Sequence, residues 1–171
     1  DALALAGQHG GGAYHMRILT PDGQPVRTAG GLTWHADAAI TDIERIDVLL
    51  VCAAQRRPPR LDAAIVNRLR RLARQGTTMG CLGTGGHVLA AAGLMDGRSC
   101  VVHWEALPGF VETYDTVVPS AALFELEADR ASAAGGVAAI DMALAVIAAR
   151  DGDAVARAVA DRMLVPRVRQ A

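Results

Sequence analysis

The residues of this sequence that could do chemistry are organised around one stretch, Thr77 to Arg98, which reads TTMGCLGTGGHVLAAAGLMDGR. Its first part, Thr77-Thr78-Met79-Gly80-Cys81-Leu82, is small, apolar and β-permissive, as a fully buried strand would be. Gly83-Thr84-Gly85-Gly86 follows, and then the helix-forming run His87 to Ala92, closed by Gly93. A strand that turns sharply through glycines into a helix has the layout of a nucleophile elbow, whose turn residue adopts a strained backbone and faces the substrate. In acyl transfer that residue is Ser or Cys. Here it is Gly83, which has no side chain to react. The same spacing also describes an ordinary strand-to-helix connection. In either case, glycines at a helix N-terminus leave backbone N–H groups free near the surface, a setting that favours a carboxylate or phosphate.

Other candidates carry a bland and a sharp reading side by side. Trp104 could pack in the core or against a pocket wall, or it could offer its face to a cationic ligand. Glu105 could pair with an amine or stay solvated. His87 sits on the first turn of the helix after the glycines, exposed and close enough to reach a bound anion. Asp141 lies among apolar residues, and burial would force it to find hydrogen-bonding partners. Cys52, Cys81 and Cys100 are far apart and each lies in or at the end of an apolar run. That pattern suits buried, reduced thiols in a cytoplasmic protein, with no metal site and no disulfide framework.

The elements that must position these residues alternate. Asp1 to Gly7 reads as the tail of a helix and Gln8 to Gly12 as a glycine-rich loop. Tyr14 to Leu19 reads as a strand stopped by Thr20-Pro21-Asp22-Gly23, with short β-prone pieces at Pro25 to Thr28 and Leu32 to Trp34. Asp47 to Cys52 is the clearest strand, an apolar run covered on both faces. Arg56-Arg57-Pro58-Pro59-Arg60 is a loop. Leu61 to Gln75 is an amphipathic helix with a Leu61, Ile65, Leu69, Leu72 stripe, Gly76 as its C-cap, and Arg68, Arg70, Arg71 and Arg74 on a solvated face. Ser99 to Val102 is a buried strand leading into His103-Trp104-Glu105. Leu107 to Tyr114 is a short helix interrupted by Pro108-Gly109. A hairpin joins Leu123–Glu127 to Arg130–Ser132. Helices at Val137 to Arg150 and Ala154 to Leu164 end the chain, with Pro166 and a basic tail beyond. This alternation predicts a three-layer α/β domain with a mostly parallel sheet.

The 171 residues suit one domain with a large core, and 51% hydrophobic against 20% charged residues is a globular balance. No apolar run reaches the roughly 18 residues of a membrane span. A net charge of −1 argues against this segment wrapping nucleic acid by itself.

Three blocks in order, GTGGHVLAAAGLMDGR, HWEALPGFVETY and SAAGGVAAIDMALAVIA, carry a more specific signal. Together they resemble the sensor domain of AraC-family transcriptional regulators whose N-terminal half has the ThiJ/PfpI, class I glutamine-amidotransferase-like fold. HWEALPGF and AGGVAAIDMAL look most like the betaine-, carnitine- and arginine-responsive subgroup. Aligning Ala92 to Arg98 with the family's Ala-Gly-Leu-Leu-Asp-Gly-Arg ending puts Gly83 where family members carry Cys or Asp, and leaves Cys81 two residues earlier, inside the strand. The resemblance implies a flavodoxin-like fold whose first strand is missing from this chain. It implies a ligand-sensing domain over residues 1–171, with the helix-turn-helix domain expected beyond residue 171 absent.

It also implies a catalytically inactive, cytoplasmic, dimeric regulator that binds DNA only through that C-terminal domain. A small amine, betaine or amino acid would be the inducer, with neither cofactor, metal nor membrane involved. The ligand-binding residues would be Gly83, Thr84, Gly85, His103, Trp104 and Glu105. In catalytic branches a histidine near His103 assists the nucleophile; opposite Gly83 it has no thiol to activate. The competing readings are a superfamily enzyme (a hydratase or amidohydrolase) using Cys81 or a residue of the missing N-terminal segment, and a purely structural dimerisation module.

Overall fold

The computed structural model describes residues 2–28, 30–53, 61–165 and 169. The element order is α1 (Ala2–Gln8), β1 (Leu19–Thr20), β2 (Val26–Arg27), β3 (Thr33–Trp34), β4 (Ala38–Ala39), a 3₁₀ turn (Ile40–Asp42), β5 (Val48–Ala53), α2 (Ala63–Arg74), β6 (Thr78–Gly83) and α3 (Gly86–Ala91). Then come β7 (Ser99–Cys100), α4 (Leu107–Thr113), β8 (Val118–Pro119), β9 (Phe124–Leu126), β10 (Arg130–Ala133), α5 (Ala138–Asp151) and α6 (Asp153–Arg162).

The main sheet has the order β5-β6-β10-β9, parallel except for the β10–β9 hairpin. Register divides its two faces. Leu49 and Val51 lie beside Met79 and Cys81, and Ser132 lies beside Cys81, so these side chains share one face. That face packs with Leu69 and Leu72 of α2, Val88 and Leu89 of α3, and Phe110 of α4. The alternate residues Leu82, Ala131 and Ala133 meet Ala138 and Met142 of α5. Outside α5, a further apolar layer joins α1 and α6 to Leu144 and Ile147. The α/β, mostly parallel, three-layer architecture read from the sequence is therefore the one observed, and β6 lies between two parallel neighbours.

Several local expectations need correction. The strand predicted over Tyr14 to Leu19 shrinks to β1, and just ahead of it the Ile18 backbone donates to a side chain instead of a ladder carbonyl. The Tyr14 hydroxyl donates to Asp151 at 2.6 Å, and the Ile18 amide donates to Asp37 at 2.6 Å. Similarly, β7 stops at Cys100 because the next amide, Val101, donates to the buried Ser132 hydroxyl at 2.9 Å instead of a ladder carbonyl. α4 is not interrupted by Pro108-Gly109: Pro108 falls in the first turn, where its missing N–H costs nothing.

Cys52 was expected to be buried and is exposed, together with Val48 and Leu50 (47% and 37%). All three lie on the α5 side of β5, at the edge of the sheet, and α5 covers β9 and β10 rather than this edge. Cys81 and Cys100 are buried as predicted.

α2 begins where Asp62 accepts from the Ala64 amide at 2.7 Å, and Gly76 follows its C-cap with φ +90°. Arg70, Arg71 and Arg74 are exposed, as a solvated face implies, and Arg68 is half-buried. Arg68 donates to the carbonyls of Thr41 and Ile43, and Arg70 Nε to that of Ala92 at 2.8 Å. The Arg56–Arg60 loop, Pro166 and most of the basic tail lie outside the described residues. No described helix is long and apolar enough to cross a membrane.

Candidate functional site

The site is built where three strands end together. Gly83 is the last residue of β6, opposite Ala53 at the end of β5, and its φ of +64° is one that glycine alone adopts without strain. A Cβ on Gly83 would sit 2.7 Å from the Ala53 carbonyl. Gly135, just past the end of β10, packs so closely that its own Cβ would lie 3.2 Å from the Gly83 Cα. Thr84 and Gly85 complete the turn and α3 starts at Gly86, where a Cβ would collide with Val102 at 2.6 Å and crowd the Cys100 sulfur at 3.2 Å. The strand–glycine–helix elbow predicted from the sequence is thus present at Gly83.

Its backbone donors point differently from the expectation. The Thr84 amide donates to Ala53 O at 3.3 Å, the Gly85 amide to Leu82 O at 3.0 Å and the His87 amide to Thr84 O at 3.1 Å. Thr84 and Gly85 are buried. The predicted row of outward N–H groups is spent, at these three positions, on closing the turn itself. His87 is a second correction. It is 4% exposed, edge-on to Phe110 at 5.1 Å and 5.6 Å from the Tyr114 ring, and the Tyr114 hydroxyl donates to its carbonyl at 3.2 Å. Its side chain belongs to the wall between α3 and α4, not to the surface.

His103 is brought to the elbow directly: its amide donates to Gly83 O at 3.1 Å. The Glu105 amide donates to His103 Nδ1 at 3.4 Å, which in a neutral imidazole leaves the proton on Nε2. The Glu105 carboxylate lies 3.9 Å from the same nitrogen. Trp104 lies 5.8 Å from the His103 ring, tilted by 30°, and is 73% exposed. That exposure rules out the core-packing reading. Gly83, Thr84 and Gly85 therefore form one turn to which His103 is hydrogen-bonded through Gly83, with Trp104 and Glu105 exposed beside it.

Cys81 faces the other way, into the core below α3, and is fully buried. A hydrogen bond with the Cys100 thiol, together with burial, holds its own thiol well above the ordinary range, which disfavours the thiolate. Among the described residues no group of three or more His, Cys, Asp or Glu side chains could hold a metal ion. Sequence reasoning missed Ala53 and Gly135 as partners of the elbow. The Gly135-Gly136 doublet was visible, but only as the opening of a helix.

An open, mostly parallel sheet with a glycine elbow at the C-terminal end of a central strand defines a class of amidotransferase-like α/β domains. The chain belongs to the DJ-1/PfpI family, whose model matches residues 4–149. Similar proteins include the HTH-type transcriptional regulator CdhR of Pseudomonas aeruginosa, 36% identical over 99% of this chain and 50% of its own length. The HTH-type transcriptional regulator GlxA of Rhizobium meliloti is 37% identical over 86% of this chain and 46% of its own. The chain thus spans about half the length of the curated relatives it matches. Among solved structures, an AraC family transcriptional regulator from Pseudomonas putida superposes with a TM-score of 0.83 at 26% identity, covering 95% of this chain and 88% of that one. Drosophila melanogaster DJ-1beta, at 17% identity and a TM-score of 0.75 over 96% of this chain and 87% of its own, shares the fold. The part these named regulators share with the chain includes its DJ-1/PfpI domain.

Proposed function

We propose that this chain is the ligand-sensing and dimerisation domain of an AraC-type regulator and that it is catalytically inactive. The observation that carries this is Gly83 at the elbow: the position that would present a nucleophile has no reactive atom. Cys81 does not substitute for it, being buried and held as a thiol. DNA would be bound by a separate helix-turn-helix domain, and two-fold operators favour a two-fold protein.

The ligand is a small amine, betaine or amino acid held in the crevice where the parallel strands end, the usual place in open α/β sheets. Its cationic head lies against the Trp104 face, with Glu105 supplying the opposite charge. Since the Thr84 and Gly85 amides are spent inside the turn, Gly83, Thr84 and Gly85 serve as the floor, and the donor for a ligand carboxylate is His103 Nε2. Thermal-shift screening of the chain against alkylamines, betaines and amino acids, followed by calorimetry, tests this. A bound compound should lose about tenfold in affinity in Trp104→Ala, a cation–π contribution of roughly 1.4 kcal/mol. Unchanged affinity would place the pocket elsewhere, and a turnover abolished by Cys81→Ser would make the chain an enzyme.

A further inference from the structure

One buried carboxylate plays no part in the elbow as described. Asp141 of α5 is 1% exposed and takes three hydrogen bonds from a single residue. The Arg169 amide donates to Oδ1 at 3.0 Å, Nε to Oδ2 at 3.0 Å and Nη2 to Oδ2 at 2.6 Å. The two partners are unequal, for the Arg169 side chain is 43% exposed. The arginine can leave for water, whereas the carboxylate cannot follow it without a change in α5.

The start of α5 is also the part of the molecule that presses on the elbow. Gly135 abuts Gly83, as its missing Cβ shows. The amides of Ala138, Ala139 and Asp141 donate back to Gly135, Gly136 and Val137 at 3.2, 3.3 and 3.4 Å. The backbone from Gly135 to Asp141 is therefore one hydrogen-bonded unit, with Gly83 at one end and Arg169 at the other.

We propose that the Asp141–Arg169 pair is a latch through which the elbow and Arg169 each report the state of the other. A charge left buried without its partner is strongly unfavourable, so release of Arg169 requires the first turns of α5 to shift and admit water. Those turns carry Gly135 with them, off Gly83. Conversely, whatever displaces Gly135 at the elbow moves the carboxylate away from its arginine. Linkage makes the two effects equal in size. The biological use of the latch rests on the elbow being the sensing site, but its mechanics do not, so a test without ligand separates the two.

That test is amide hydrogen exchange, followed by NMR on the whole 171-residue chain. The Arg169 amide should be protected in the wild type. In Asp141→Asn it should exchange about tenfold faster, within the usual range of coupling between sites, and the Thr84 and Gly85 amides should accelerate by a similar factor. Gly136→Ala should also speed exchange at Arg169, because φ there is +56° and an added Cβ meets nothing within 4 Å, giving strain without a clash. If Asp141→Asn does not fold, Arg169→Gln opens the latch from its exposed side and should affect the same amides. The proposal fails if the wild-type Arg169 amide is unprotected, or if the elbow amides stay unchanged when Arg169 is released. It fails too if Asp151→Asn, at the far end of the same helix, has an equal effect, since that would indicate general loosening.

Discussion

The amide of His103 donates to the carbonyl of Gly83 at 3.1 Å, which ties the segment after β7 to the last residue of β6. Gly83 accepts this bond while holding a φ of +64°. Gly83→Ala should therefore cost roughly 2–4 kcal/mol, combining backbone strain with a methyl group 2.7 Å from the Ala53 carbonyl. Urea unfolding measures it. A loss below about 1 kcal/mol would mean that the turn is not held in this conformation.

The thiols should separate by reactivity. Burial pushes the Cys52 thiol up, and the hydrogen bond with Cys100 together with burial pushes up that of Cys81, so access decides: Cys52 is exposed, whereas Cys81 and Cys100 are fully buried. Native protein treated with an aromatic disulfide reagent should release one equivalent quickly, and the other two only on unfolding. Fast modification of a second thiol, with Cys52→Ser removing just one of two fast equivalents, would contradict the burial of the Cys81–Cys100 pair.

Stability should fall at both ends of the pH range through Asp151 and Tyr14. The Tyr14 hydroxyl at 2.6 Å and the Gly12 amide at 3.0 Å hold the Asp151 carboxyl below its ordinary 3.8. A lowered folded value means that the stabilisation is present above pH 3.8 and is lost as pH drops through the folded pKa. Burial first, and then Asp151, push Tyr14 from 10.0 up to about 12. A raised folded value means that its stabilisation is present below pH 10 and is lost as pH climbs towards 12. Asp151→Asn should flatten the acid limb of a stability–pH curve and Tyr14→Phe the alkaline limb. Curves that superimpose on the wild type would show that these hydrogen bonds contribute nothing.

Trp104 and Trp34, the two tryptophans, are 73% and 48% exposed. Their combined emission should be red-shifted and readily quenched by acrylamide. Trp104→Ala should leave stability within about 0.5 kcal/mol, because little packing is lost at an exposed position. A compound that binds at the elbow should shift the Trp104 emission to the blue and protect it from the quencher. Binding with no change in fluorescence would separate the ligand from Trp104.

What the sequence determined by itself is largely what short-range physics controls. The apolar run at Val48 to Ala53, the glycines after Leu82 and the arginine-faced helix closed by Gly76 each express a local periodicity or a backbone constraint. They led to the order of elements, the sheet class and the elbow at Gly83. Burial of individual side chains, by contrast, depends on what arrives from elsewhere in the chain. His87 looks like an exposed first-turn residue until α4 brings Phe110 and Tyr114 over it. Cys52 and Leu50 belong to a strand with an interior composition, yet α5, on the same face of the sheet, lies over β9 and β10 and leaves them open. Whether the amides of Thr84 and Gly85 face a ligand or their own turn is decided by the carbonyls of Ala53 and Leu82. The contact of Gly135 with Gly83, 52 positions earlier in the sequence, exists only because β10 pairs in parallel with β6, a long-range register that no local pattern encodes.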